Sequence, residues 1–244
     1  YWYHPHPLTG ASAQIAKGLA GPIIIRHPDE ALKKIPEQHW VISDLRLDSQ
    51  GQIPENTYSD WVDGREGEQV LINGQRQPRI RLTGQHRLRV WNLCSARYLQ
   101  LSLPGAQWLV VGSDGGLTEK VSQPQTSVFL APGERLELLV QGESQHYALN
   151  LLPYNRHRMM SPPAEVASVI ADIDFTPQSA PVKPGQELRR IEALPPGNNP
   201  LRAMMSEKMA DIMKNKASGI PPKGAFLING KSFDVNRMDL HSIA

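Results

Sequence analysis

His86-Arg87-Leu88-Arg89-Val90-Trp91-Asn92 alternates polar and apolar residues with a period of two, and so does Arg79-Ile80-Arg81-Leu82 just before it. Successive side chains of a strand point to opposite faces. The pattern therefore predicts two strands, each burying one face and wetting the other. A few dozen residues on, Leu130-Ala131-Pro132-Gly133-Glu134-Arg135-Leu136-Glu137-Leu138-Leu139-Val140 reads as a Pro-Gly turn feeding another alternating strand.

The theme continues on both sides. His39 to Leu47 is strand-like, and Val70-Leu71-Ile72-Asn73-Gly74 runs a strand into an Asn-Gly hairpin turn. Tyr98 to Leu103, Gln107 to Val111, Ser127 to Leu130, Tyr147 to Leu152 and Val166 to Phe175 are further short strands. Ile23-Ile24-Ile25 is β-branched and reads as a short buried strand. With 19 Gly and 21 Pro punctuating the chain, many short strands argue an all-β sandwich or Greek-key barrel.

At 244 residues the chain can bury a sizeable core and form one to two domains. Its 26 basic and 24 acidic residues nearly balance, with no basic block to suggest nucleic-acid binding. No apolar run reaches the roughly 20 residues that span a bilayer. Cys94 is the single cysteine, so an intrachain disulfide and a thiolate cluster are excluded. No signal peptide is visible; the first residue is Tyr1, inside a strand-like run. The chain is therefore read as a fragment or a cleaved piece of something longer.

Two further features carry chemistry. The chain opens on Tyr1-Trp2-Tyr3-His4-Pro5-His6, and residues two apart on a strand face the same way. Two imidazoles on one face can each offer a nitrogen to a metal, and imidazole suits copper, zinc, iron and nickel. An exposed loop with two neighbouring histidines is the plainer alternative. Far downstream, Leu201 to Lys216 reads as a helix on which Met205, Met209 and Met213 recur every fourth residue, beside Met204. Thioethers favour copper(I), while a Met face packed against a domain is the structural alternative. His27, His39, His86, His146, His157 and His241 lie in no metal-like spacing.

Phe226-Leu227-Ile228-Asn229-Gly230 repeats Val70-Leu71-Ile72-Asn73-Gly74. Repeated strand-turn openings are the mark of duplicated domains.

His4-Pro5-His6, then Gln14, then Gly18-Leu19-Ala20-Gly21 and an aliphatic run, resembles the end of the first cupredoxin domain of multicopper oxidases. Leu88 to Arg97, Gly112 to Gly116 and Leu130 to Val140 resemble the middle cupredoxin domain of the same family, nearest to the bacterial periplasmic copper-efflux oxidases. One departure is Leu8-Thr9, where many bacterial members carry a further His and Gly.

The resemblance implies a cupredoxin-like Greek-key β-sandwich, with one complete domain and parts of two flanking ones. It divides the chain into residues 1–29 (end of domain 1), 30–36 (linker), 37–176 (domain 2), 177–222 (a Pro-rich connection with the Met-containing helix 201–216) and 223–244 (start of domain 3). It implies copper as cofactor, with His4 and His6 each binding one copper of the coupled type 3 pair: two of the eight His expected for the trinuclear cluster. Dioxygen and a reducing substrate, phenolic or cuprous, would be the reaction partners, and the periplasm the location. The type 1 site of the third domain has no counterpart in these residues, so the fragment alone is expected to be inactive. Missing domain segments or a partner chain would have to complete it. Cys94, flanked by Leu93 and Ser95, aligns with a middle-domain position and reads as a small buried residue.

Two non-catalytic readings stand beside this one. A copper-free, cupredoxin-type envelope scaffold would have no need of both His4 and His6. A Met-based copper(I)-binding protein would depend on Met205, Met209 and Met213.

Overall fold

A computed structural model describes every residue except 8–9, 161–165, 178–181, 198–201, 220, 235 and 238–244. His241 and Leu201 of the predicted helix thus lie outside the described residues. The chain divides into two compact units.

The first unit comprises Tyr1–Pro54, Arg65–Arg158 and Pro162–Ile191. It opens with β1 (Trp2–Tyr3), the short helix α1 (Ala11–Ala16) and β2 (Gly21–Pro22), which pairs back on β1. The strands β3 (Glu37–Leu45), β4 (Gln69–Ile72), β5 (Gln75–Arg76), β6 (Arg79–Thr83), β7 (Arg87–Asn92), β8 (Leu99–Ser102), β9 (Gln107–Ser113), β10 (Gly116–Leu117), β11 (Ser127–Leu130), β12 (Arg135–Gln141), β13 (Gln145–Leu152) and β14 (Ser168–Thr176) follow. They build a seven-stranded sheet in the order β10-β9-β12-β7-β3-β4-β5 and a five-stranded sheet in the order β11-β8-β13-β14-β6. The pairs β3/β7 and β6/β14 are parallel. Consecutive strands repeatedly change sheet, which gives the cupredoxin-like β-sandwich.

The core lies between the sheets. Trp40 and Trp108 meet edge-to-face at 6.4 Å, surrounded by Ile42, Leu88, Val90, Leu101, Leu138 and Ile173. A second apolar cluster covers the outer face of the seven-stranded sheet. There Leu109, Val111 and Leu139 pack under Leu32 of the connection before β3 and under Val182 and Leu188. This second layer corrects the simplest reading of the alternation. β7 is buried along its whole length, and β12 along its middle five residues, because both faces are covered. Asn92 is fully buried, its amide nitrogen donating to the carbonyls of Arg97 and Leu130. Ile23-Ile24-Ile25 is corrected too: the strand ends at Pro22, and Ile23 and Ile25 are exposed.

The second unit comprises Glu55–Gly64, Met159–Ser161 and Glu192–Ala244. Helix α2 (Tyr58–Asp63) starts at a capping box, with Thr57 accepting from the Asp60 N–H and the Asp60 carboxylate accepting from the Thr57 N–H. The Tyr58 hydroxyl donates to the carbonyl of Ile212. Strands β15 (Met205–Glu207), β16 (Phe226–Ile228) and β17 (Lys231–Ser232) form a small antiparallel sheet, and helix α3 (Met209–Ser218) lies between β15 and β16 in sequence. Gly219 closes α3 in the left-handed conformation. The helix predicted over 201–216 is therefore displaced: its first part is strand, and Met205 sits on β15 rather than on the helix.

The sequence repeat is a structural repeat. Asn73 and Asn229 both have φ of 52°, and Gly74 and Gly230 have φ of 77° and 76°. These are the left-handed values that a tight hairpin turn requires. Asn73 Oδ1 accepts from Val41 N at 2.9 Å and Nδ2 donates to His39 O at 2.9 Å. Asn229 does the same on Met204 N at 2.8 Å and Arg202 O at 3.2 Å. Asn73 thus clamps its turn onto β3, and Asn229 clamps its turn onto the residues leading into β15.

Candidate metal centre

β1 is two residues long and ends at Tyr3, so His4 and His6 do not share a strand. The single intervening residue, Pro5, nevertheless keeps them together. Their rings lie 5.8 Å apart, tilted by 32°, and both side chains are exposed. His4 Nδ1 lies 2.9 Å from the Pro5 carbonyl oxygen. A carbonyl can only accept, so a hydrogen bond there puts a proton on Nδ1, and in the neutral ring that leaves the Nε2 lone pair available. This is the usual way a metal-binding imidazole has its tautomer fixed.

The segment is tied to the sandwich. Trp91 Nε1 donates to Tyr1 O at 2.8 Å, and the Tyr1 carbonyl also accepts from Ile23 N at 2.9 Å. The pair fits copper as a partial donor set, since imidazole nitrogen suits that ion. Among the described residues, no group of three or more His, Cys, Asp or Glu is arranged to hold a metal.

The methionines are only partly brought together. Met205 from β15 and Met209 at the start of α3 line one groove with Phe226, Ile228 and Phe233, and Met213 is not part of that lining. Met205, Met209 and Met213 are all exposed, as is Met204. The three do not form a single helix face, because the first of them is on a strand.

Cys94 is buried, and burial pushes its thiol well above the ordinary value. It is a packing residue. The remaining described histidines have local roles. His27 Nδ1 accepts from Asp29 N at 3.1 Å, His39 contacts Glu37 at 3.4 Å, and His146 lies 3.1 Å from Asp172 and 3.3 Å from Asp174.

Sequence reasoning did not anticipate the buried charges of β7. Arg87 pairs with Glu30 and Glu137, while Arg89 bonds Glu137 at 2.7 Å and Glu37 at 2.8 Å. Arg26 reaches Glu37 at 2.8 Å from the other side. Burial would raise the Glu37 pKa, but hydrogen bonds from Arg89 and Arg26 outweigh it and hold the carboxyl at about 2. The network fastens the connection between residues 26 and 37 to the sandwich. Glu30, Arg87, Arg89 and Glu137 of the network also line a cavity of about 520 Å³ with Trp91 and Arg135. The only sequence signal for it was two Arg on a strand and three Glu at a distance, which spacing alone does not connect.

No protein-family model matches the sequence. The cell division protein FtsP of Salmonella typhimurium is 31% identical over 261 residues, covering 98% of this chain and 50% of that protein. A laccase of Bacillus subtilis is 31% identical over 164 residues, covering 59% of this chain and 32% of the laccase. Among solved structures, a multicopper oxidase from Campylobacter jejuni, described as a metallo-oxidase, superposes with a TM-score of 0.89 at 38% identity. The superposition covers 99% of this chain and 52% of the oxidase. The chain thus spans about half the length of the relatives that match it from end to end. The sandwich, its strand order and these likenesses agree: the chain is a member of the multicopper-oxidase, cupredoxin-like family.

Proposed function

We propose that this chain is part of a multicopper oxidase, in which His4 and His6 each hold one ion of a coupled copper pair. The observation that carries the reading is the His4/His6 geometry: two rings 5.8 Å apart, with His4 Nδ1 2.9 Å from a backbone carbonyl, which in the neutral ring leaves Nε2 for a metal. Bound copper would supply one-electron redox chemistry for reducing dioxygen to water. The chain's own residues hold the two imidazoles at fixed spacing and fix the tautomer of one of them.

The full activity needs donors beyond this pair, supplied by further segments of the parent protein or by a partner chain. The reductant is phenolic or cuprous, and the location is the periplasm. The layout of 1–29, 37–176 and 223–244 as parts of three cupredoxin domains belongs to the same reading, supported by the repeated Asn-Gly clamp. Met205 and Met209, with Met213 further along α3, form a candidate copper(I) site.

The test is dioxygen consumption by the copper-loaded parent protein with a reducing substrate. His4→Ala and His6→Ala should each abolish it while leaving the unfolding midpoint of the sandwich in place. Undiminished consumption in both variants would contradict the reading.

A second reading has its own support. A relative whose alignment covers 98% of this chain is described as a cell division protein, so a copper-free envelope scaffold is the alternative. In that case copper loading would leave the protein unchanged, and the His4→Ala/His6→Ala double variant would retain its biological role.

A further inference from the structure

We infer that Trp2 is a positioning residue for the histidine pair, and that the sandwich sets its place through Gly133. This rests on the copper-binding reading above and adds how the pair is held.

A two-stranded β1/β2 pair of this length has little stability of its own. Something else must orient the chain that leaves it at His4. Trp2 stacks on His4, with ring centroids 4.5 Å apart and planes tilted by 35°. The indole in turn lies over Gly133. A Cβ added there would sit 3.3 Å from Trp2 Cζ2, closer than ordinary side-chain contacts allow without a shift. Gly133 also has φ of 81°, so its backbone conformation independently favours glycine.

The turn carrying Gly133 is itself pinned. Gly133 N donates to Asn92 O at 2.8 Å, and the buried Asn92 amide holds the carbonyls of Arg97 and Leu130. Tyr1, the residue before β1, is held by the same ends of β7 and β12. Trp91 Nε1 donates to Tyr1 O, and Arg135, the cross-strand partner of Trp91, lies 5.9 Å from the Tyr1 ring. His39 meets the Trp91 ring edge-on at 5.8 Å. A continuous set of contacts therefore runs from Asn92 through the turn at Gly133 to Trp2, His4 and His6.

An imidazole stacked on an indole and bonded through Nδ1 has few orientations left. A ligand held in this way loses less freedom when the metal binds. A middle domain that carries no metal would, on this view, still act on the metal site by providing the seat for Trp2.

The test uses the full chain, copper(II) ion as the probe, and two readouts. One is the copper dissociation constant. The other is the NMR shift of the His4 ring in the metal-free protein, which a stacked indole displaces. Trp2→Leu should remove the ring-current shift and weaken copper binding by about tenfold, the scale seen for outer partners of metal-binding histidines. Trp2→Phe should restore most of both. Gly133→Ala should alter the His4 signal in the same sense, with the melting curve showing whether the sandwich is intact. Unchanged copper affinity in Trp2→Leu, alongside its loss in His4→Ala, would overturn the positioning role and leave the copper reading standing. Copper binding indifferent to His4→Ala and His6→Ala would overturn both.

Discussion

The two Asn-Gly hairpins are the same device in two settings. In both, an asparagine with φ of 52° clamps the turn to an earlier stretch of backbone, accepting from one N–H and donating to the carbonyl two residues before it. In the first unit the hairpin β4/β5 extends a seven-stranded sheet, with Ile72 only 1% exposed. In the second, β16/β17 extends a three-stranded sheet among the described residues, and the matching Ile228 is 45% exposed. The left-handed Asn-Gly backbone is local and recurs in both settings, although the asparagine clamp itself reaches residues far back in the chain. Burial is not local; it needs β7 lying parallel to β3 and a second sheet on the other side. The motif therefore specifies its own shape and a preference for company, and the surrounding chain decides how much stability it contributes.

The largest difference should come from the charges behind the first hairpin. Glu137→Gln leaves Arg87 and Arg89 buried beside a lost partner, and should cost about 3–5 kcal/mol in urea unfolding followed by tryptophan fluorescence. Replacing Arg87 and Glu137 together by Met and Leu should cost less, because opposite charges leave together, Arg89 keeps Glu37 at 2.8 Å and Glu30 keeps Arg89 at 4.0 Å. A smaller contrast lies in the repeat itself. Ile72→Ala should cost about 2–5 kcal/mol, whereas Ile228→Ala should stay within about 0.5 kcal/mol, measured in the same way. Smaller again, Asn73→Ala should lower global stability by about 1–2 kcal/mol. Asn229→Ala should speed amide exchange at Met204 without moving the unfolding midpoint of the first unit.

The mildest perturbation is pH. Glu37 is held at about 2 in the folded chain against an ordinary value of 4.5. Its stabilising contribution is thus complete above pH 4.5 and is lost as pH falls towards 2. Melting temperatures at pH 7 and pH 5 should differ little through this group, with the decline setting in below that.

These contrasts also mark what could be read from the sequence. The strands were legible because alternation survives wherever a sheet has one wet face, as along β6 and β13. β7 carries the same alternating letters, yet both its faces are covered. Arg87 and Arg89 are tolerated there only because Glu30, Glu37 and Glu137 converge on them, and no local pattern announces that convergence. The Thr57/Asp60 capping box that opens α2 is also a local signal, but it was not among the features read from the sequence. The fourfold spacing of the methionines, by contrast, suggested a helix through Met205, where pairing with Ile228 makes a strand. Tertiary pairing overrode a local period. At the candidate site, His4 and His6 were legible as neighbours. The indole that stacks on His4 and the glycine beneath it were not, since Trp2 and Gly133 meet only through the fold.

The most direct test of the account is copper per chain, determined by elemental analysis alongside intact mass, for the protein and for the His4→Ala/His6→Ala double variant. The account predicts bound copper in the first and its loss in the second, with unfolding of the sandwich unchanged between them. Equal copper in both, or none in either after loading, would contradict the assignment of the pair as copper ligands.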